Sequence, residues 1–183
     1  TELGKSLKQI IQHRLEKIKI LTDNGINPFP HNFDLKDEIS DLLNEKEPFT
    51  KKYQTAGRIV SIRRMGKVAF CHVQDKSKKI QVYLKSNLLK AGMYDLLVRN
   101  FDIGDIVGFN GILFYTKTNE LSIKCTKVTM LAKSIRPLPN IKEKDGESFF
   151  SFEDKELRYR NRHLDLIVNP SVRNVFIARS KII

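Results

Sequence analysis

Residues 54–84 read QTAGRIVSIRRMGKVAFCHVQDKSKKIQVYL, and this stretch decides the fold. Its pattern has period two, the repeat of a strand with one face buried. A strand is expected over 54–64, around Ile59, Val60 and Ile62, followed by a turn at Met65-Gly66. A second strand is expected over 67–74, a polar turn over 75–78, and a third strand over 80–84. Working outward, 86–100 has helical spacing (Leu88, Leu89, Tyr94, Leu97, Val98), with Ser86 as N-cap. Strands over 106–115 and 121–131 flank a turn at 116–119. Three strands, a helix and two strands is the order of a five-stranded Greek-key barrel, the OB-fold.

Upstream, 5–24 carries Leu7, Ile11, Ile18 and Leu21 at helical spacing, with Ile10 and Leu15 widening the stripe. Lys5, Lys8, Lys17 and Lys19 are expected on its polar part, and Asn24-Gly25 should end it. A short acidic helix is expected over 36–47. Downstream, Arg136-Pro137-Leu138-Pro139 opens a linker, with an aromatic cluster at Phe149, Phe150 and Phe152. Helices are expected over 153–168 and from Pro170 onward. The expected division is 1–50 helical, 51–135 barrel, 136–157 linker, and 158–183 the start of a further domain.

The chain has 183 residues, a net charge of +12 and 40% hydrophobic residues, enough to build a core. The positive charge points to a polyanion. It is unevenly spread. Residues 31–50 set Lys36 and Lys46 against Asp34, Asp37, Glu38, Asp41, Glu45 and Glu47. Residues 51–72 carry Lys51, Lys52, Arg58, Arg63, Arg64 and Lys67 and no acid. No apolar run is long enough to span a bilayer, and the first residues do not read as a signal peptide. Cys71 and Cys125 lack metal-type spacing and are expected as buried free thiols in a reducing compartment. Catalytic and metal residues: none are expected.

Alternation sorts the strand faces. Ala69, Cys71 and Val73 suit a small barrel interior, which leaves Val68, Phe70 and His72 outside. Ile80, Val82 and Leu84 go inward, leaving Gln81 and Tyr83 outside. Only one of Arg63 and Arg64 can join that outer face, and Glu120 closes the turn between the last two strands. An exposed ring can stack an unpaired base, and an arginine, an amide and a carboxylate can inspect its edge. Lys51, Lys52 and Lys67 would neutralise phosphates without reading sequence. His72 shares the face but is expected to be an unpartnered surface histidine.

These residues resemble the lysyl-tRNA synthetase family, class II. The matching segments include Asn24-Gly25-Ile26-Asn27-Pro28-Phe29-Pro30, Arg63-Arg64-Met65-Gly66-Lys67 with Phe70, and Ile80-Gln81-Val82-Tyr83. They continue through Asp102-Ile103-Gly104-Asp105, Thr116-Lys117-Thr118, Glu120-Leu121-Ser122-Ile123, Arg136-Pro137-Leu138-Pro139 and Leu164-Asp165-Leu166-Ile167. They run collinearly over nearly the whole chain.

The resemblance implies an anticodon-binding domain for lysine tRNA. Phe70 would stack a central uridine, and Arg63, Gln81 and Glu120 would contact its edge. It also implies an α+β catalytic domain that uses ATP and Mg2+, a homodimer, and a cytoplasmic enzyme. The chain is expected to stop before the catalytic motifs and to be inactive alone. Asn119 stands where the family commonly has glycine, and 140–153 departs from its pattern. Aspartyl- or asparaginyl-tRNA synthetases share this layout. A general single-stranded nucleic-acid module is the reading from another class, as is a protein-interaction barrel. Swapped anticodon loops and arbitrary single strands separate them in a binding assay.

Overall fold

The computed structural model describes residues 6–46, 49–76, 78–139, 141–144, 147–150 and 154–183. Lys5 and Phe152 lie outside the described residues. The chain forms two compact units, Thr1–Arg136 and Pro137–Ile183.

The first unit opens with α1 (Leu7–Asp23). Ser6 and Gln9 form a reciprocal capping box: Ser6 N–H donates to Gln9 Oε1 at 2.8 Å and Gln9 N–H to Ser6 Oγ at 3.3 Å. At the other end Gly25 is left-handed, with φ +73°. Ile26 N–H then reaches Leu21 O and Gly25 N–H reaches Thr22 O, both at 2.9 Å. This pair of bonds is a Schellman stop. The short acidic helix is α2 (Ile39–Asn44).

The barrel strands are β1 (Lys52–Met65), β2 (Val68–Gln74), β3 (Lys79–Lys85), β4 (Ile106–Tyr115) and β5 (Leu121–Ala132). They close in the order β1-β2-β3-β5-β4, the expected OB arrangement. β1 serves two neighbours. Its first half pairs with β4 and its second half with β2, with a register shift between Ile59 and Ser61. The parallel β3–β5 pairing closes the ring. Ile59, Ala69, Cys71, Val73, Ile80, Val82, Val107, Phe109 and Leu113 fill the interior, none more than 2% exposed. Burial pushes the Cys71 thiol up, and that of Cys125 to about 12, so both stay protonated.

Gly111 marks a close approach of two backbones. A Cβ there would lie 2.3 Å from Lys124 O and 2.9 Å from Ile123 Cγ2. Strand backbone has nowhere to retreat. Gly111→Ala is therefore expected to destabilise the barrel by about 1–3 kcal/mol, seen as an earlier urea midpoint.

The expected helix over 86–100 is shorter. Only α3 (Met93–Leu97) forms, continued by a 3-10 turn, Val98–Asn100. Ser86 is not its cap. Ser86 N–H instead donates to Lys67 O and prolongs the β2–β3 ladder, while Gly92, at φ +78°, turns the chain into the helix. The Lys17 expectation also fails. It is not on a solvated face, because its ammonium lies 2.5 Å from Asp102 and its side chain is only 12% exposed.

The second unit holds a hairpin, β6 (Ile141–Lys144) with β7 (Glu147–Phe150), inside the stretch expected as linker. The helix expected over 153–168 is two, α4 (Lys155–Arg160) and α5 (Arg162–Val168), broken at Asn161. α6 is Pro170–Ile182. Asp165 is fully buried and receives Arg158, Arg162 and Asn169. Burial pushes its carboxyl up, but these donors outweigh it and hold the group below the usual carboxylate range.

Candidate nucleic-acid interface

The registers place two rows of side chains around the outside of the barrel. One runs Arg63, Phe70, Tyr83, Lys124, Ile112, Lys52, taking one residue from each strand in turn. The other runs Ser61, His72, Gln81, Ser122, Phe114. The alternation in β2 is as expected: Ala69, Cys71 and Val73 are buried, and the residues between them are half-buried.

Phe70 is the first ring of a ladder that continues through Tyr83 to Phe114. Its centroid lies 5.2 Å from Tyr83 at 49°, and Tyr83 lies 5.6 Å from Phe114 at 62°. Tilted contacts of this kind suit the ring quadrupoles. The Arg63 guanidinium carbon sits 5.8 Å from the Phe70 centroid. Of the two arginines, Arg63 is the one on this face. Arg64 turns away, donating to Val98 O at 3.1 Å and Phe101 O at 2.5 Å, so that it fastens the 3-10 turn.

Glu120 is more constrained than a turn glutamate ordinarily is. Asn119 adopts φ 60°, the left-handed geometry that asparagine tolerates. Glu120 N–H donates to Thr116 Oγ1 at 3.1 Å. Gln81 Nε2 donates to Glu120 Oε2 at 2.6 Å, and Ser122 Oγ donates to Gln81 Oε1 at 2.9 Å. His72 Nε2 lies 3.0 Å from Glu120 Oε1, and His72 Nδ1 lies 2.9 Å from Ser61 Oγ.

Two expectations need correcting here. Gln81 faces outward but is 7% exposed, covered by the glutamate and serine it bonds. His72 has partners on both nitrogens. Sequence alternation placed it on this face but gave no sign that Ser61 and Glu120 would meet it. Phe114 and Lys124 were also missed, although outward positions in β4 and β5 follow from the same alternation.

The lysines divide. Lys67 is exposed in the β1–β2 turn, after Gly66 at φ +59°, next to the Arg63 end of the ladder. Lys52 is exposed at the start of β1, at the opposite end of that strand from Arg63. Lys51 is bound to Asp37 at 3.1 Å and sits 4.8 Å over the Tyr53 ring. The face that gathers Arg63, Phe70, Gln81 and Glu120 thus keeps Lys67 at hand and Lys51 and Lys52 apart.

A ring platform, a cation beside it and a fixed acceptor make a surface suited to an unpaired base. Residues 53–131 match the family model described as an OB-fold nucleic acid binding domain. Over these residues the barrel is similar to OB-fold nucleic acid binding domains. Around this OB-fold domain the likeness extends along nearly the whole chain. The lysine–tRNA ligase of Fusobacterium nucleatum is 42% identical over 95% of this chain and 34% of its own length. That of Carboxydothermus hydrogenoformans is 40% identical over 97% of this chain and 35% of its own. That of Haemophilus influenzae is 44% identical over 93% of this chain and 34% of its own. The chain is thus similar to these lysine–tRNA ligases along nearly all of its length, and it spans about a third of theirs. Among the described residues no helix is long and apolar enough to cross a membrane.

Proposed function

We propose that this chain recognises the uridine-rich anticodon of lysine tRNA, as the anticodon-binding part of a lysine–tRNA ligase. The observation that carries the reading is the half-exposed Phe70 ring, with Arg63 beside it and the Glu120 carboxylate held on the same outer face. Phe70 stacks the central base of the anticodon. Arg63 donates to a uracil carbonyl oxygen. Glu120 accepts from uracil N3–H, with lone pairs left over after Gln81 and His72 are bonded. Gln81 serves the base chiefly by holding Glu120.

Lys67 meets phosphate near the stacked base, and Lys52 a more distant part of the backbone. Lys67→Ala is expected to weaken all RNAs about equally and to flatten the salt dependence by about 0.7 of a log unit per log unit of salt. Titrations at several salt concentrations check this.

The parent enzyme would attach lysine to its tRNA using ATP and Mg2+, and would pair as a homodimer. The part assigned to this chain is recognition of the anticodon. The test is fluorescence anisotropy with a labelled lysine-type anticodon stem-loop, against a stem-loop with an aspartate-type loop and an arbitrary single-stranded DNA. Preference for the uridine-rich loop is expected. Equal affinity for all three would replace this reading with a general single-strand binder.

A further inference from the structure

The second outer row of the barrel contains a continuous set of side-chain hydrogen bonds that converges on one carboxylate. We infer that His72 is a positioning residue: it fixes the Glu120 carboxylate in the orientation that separates uridine from cytidine. The inference rests on the anticodon reading above and deepens it.

Glu120 is 44% exposed on a turn, and a free glutamate there would sample many rotamers. Here each carboxylate oxygen has its own donor from its own strand. Gln81 on β3 takes Oε2 and His72 on β2 takes Oε1. One bond would leave the carboxylate free to swing about it. Two bonds from two strands define its plane.

Each donor is itself held by a hydroxyl. The acceptor-only carboxylate requires the amide to turn its NH2 group toward Glu120, and Ser122 Oγ then donates to the Gln81 Oε1 left on the other side. Ser61 Oγ sits against His72 Nδ1. A carboxylate only accepts, so the bond to Glu120 requires the proton on Nε2, and Nδ1 of the neutral ring then accepts from the Ser61 hydroxyl. Residues of four strands therefore aim one acceptor.

The chemistry distinguishes two pyrimidines of nearly equal shape. Uracil presents N3–H, a donor, to an aimed carboxylate. Cytosine presents the bare N3 lone pair, which repels it. Such rejection depends on the acceptor staying where it is, because a mobile carboxylate could swing to the cytosine amino group instead. His72 thus acts on discrimination rather than on stacking or phosphate attraction.

The experiment uses the 183-residue chain and two anticodon stem-loops differing only by U or C at the central anticodon position. His72→Leu is expected to lower the U-over-C affinity ratio about tenfold, the scale of a hydrogen bond to a charged group, with the salt dependence unchanged. His72→Gln, which can still donate to Glu120, should recover most of the ratio. Ser61→Ala, a smaller change in the same chain of bonds, should lower it in the same direction.

A structural role alone would not predict rescue by glutamine together with an unaltered salt slope. If the wild-type chain prefers U but His72→Leu and Ser61→Ala keep the full ratio, the positioning role is refuted and the anticodon reading stands. If the wild-type chain shows no U preference, both fall. Circular dichroism melts identify a variant that fails to fold, in which case the Ser61→Ala result decides.

Discussion

Asp105→Ala is expected to destabilise the barrel unit by about 3–5 kcal/mol, read from the urea unfolding midpoint, because it strands a buried cation. Lys133 and Asp105 side chains are both 0% exposed, and their charged atoms lie 2.7 Å apart. Asp105 also accepts from Asp102 N–H at 2.8 Å and Ser134 N–H at 2.9 Å. Lys133 reaches Asp102 as well, and Lys17 of α1 reaches Asp102 from the other side. The four charges cancel. Deleting one carboxylate leaves an unmatched positive charge and two backbone donors without their acceptor, each costly on its own.

The two carboxyls shift in opposite directions although they share Lys133. Burial pushes both up. Asp102 has a second ion-pair partner, Lys17, and ends below its usual range; Asp105 is the more deeply buried, and burial leaves it above. Asp102 therefore contributes stability that is present above the ordinary carboxylate value and lost as pH falls through its depressed folded value. Asp105 contributes in the opposite sense, losing stability as pH rises through its raised folded value. The pair Asp105→Leu with Lys133→Met removes the shared ion pair together, and is expected to cost less than Asp105→Ala. A double variant as unstable as the sum of the two single variants would refute this account of the cluster.

How much of this was legible beforehand depends on the distance over which each signal acts. Strand alternation is local, and it placed Ala69, Cys71 and Val73 inside and Phe70 outside, as found. The order of elements gave the barrel. The reading failed where a residue answers to a distant partner. Leu88 and Leu89 mimic helical spacing, but Gly92 and the bond from Ser86 to Lys67 bend that segment into turns. Lys17 sits on a helix whose polar side reads as solvated, yet Asp102 lies 85 positions away. His72 and Ser61 meet only because β1 and β2 pair in one register. Glu120 joins them only because its turn folds back over β2 and β3. Residue type marked these positions, and only tertiary pairing gives them work.

Phe70→Ala is expected to weaken binding of a uridine-rich anticodon stem-loop by about 1–3 kcal/mol, or roughly ten- to a hundredfold in Kd. The loss should be one of binding, not of folding. The ring is half-buried on the outer face, and the interior beneath it is already filled by Ala69, Cys71 and Val73 at 0% exposure. Truncation therefore opens no core cavity. It forfeits cross-strand contact with Tyr83, worth about 0.2–1 kcal/mol. Phe70→Leu separates the possible causes, since leucine keeps apolar bulk but offers no flat π-face, and should lose most of the affinity. Phe70→Tyr should keep it. Stacking releases no counterions, so the salt slope of Phe70→Ala should match that of the wild-type chain, unlike Lys67→Ala. An alanine variant that binds the stem-loop as tightly as the wild-type chain would show that the base rests elsewhere, and Arg63 and Glu120 would then have nothing on this face to read.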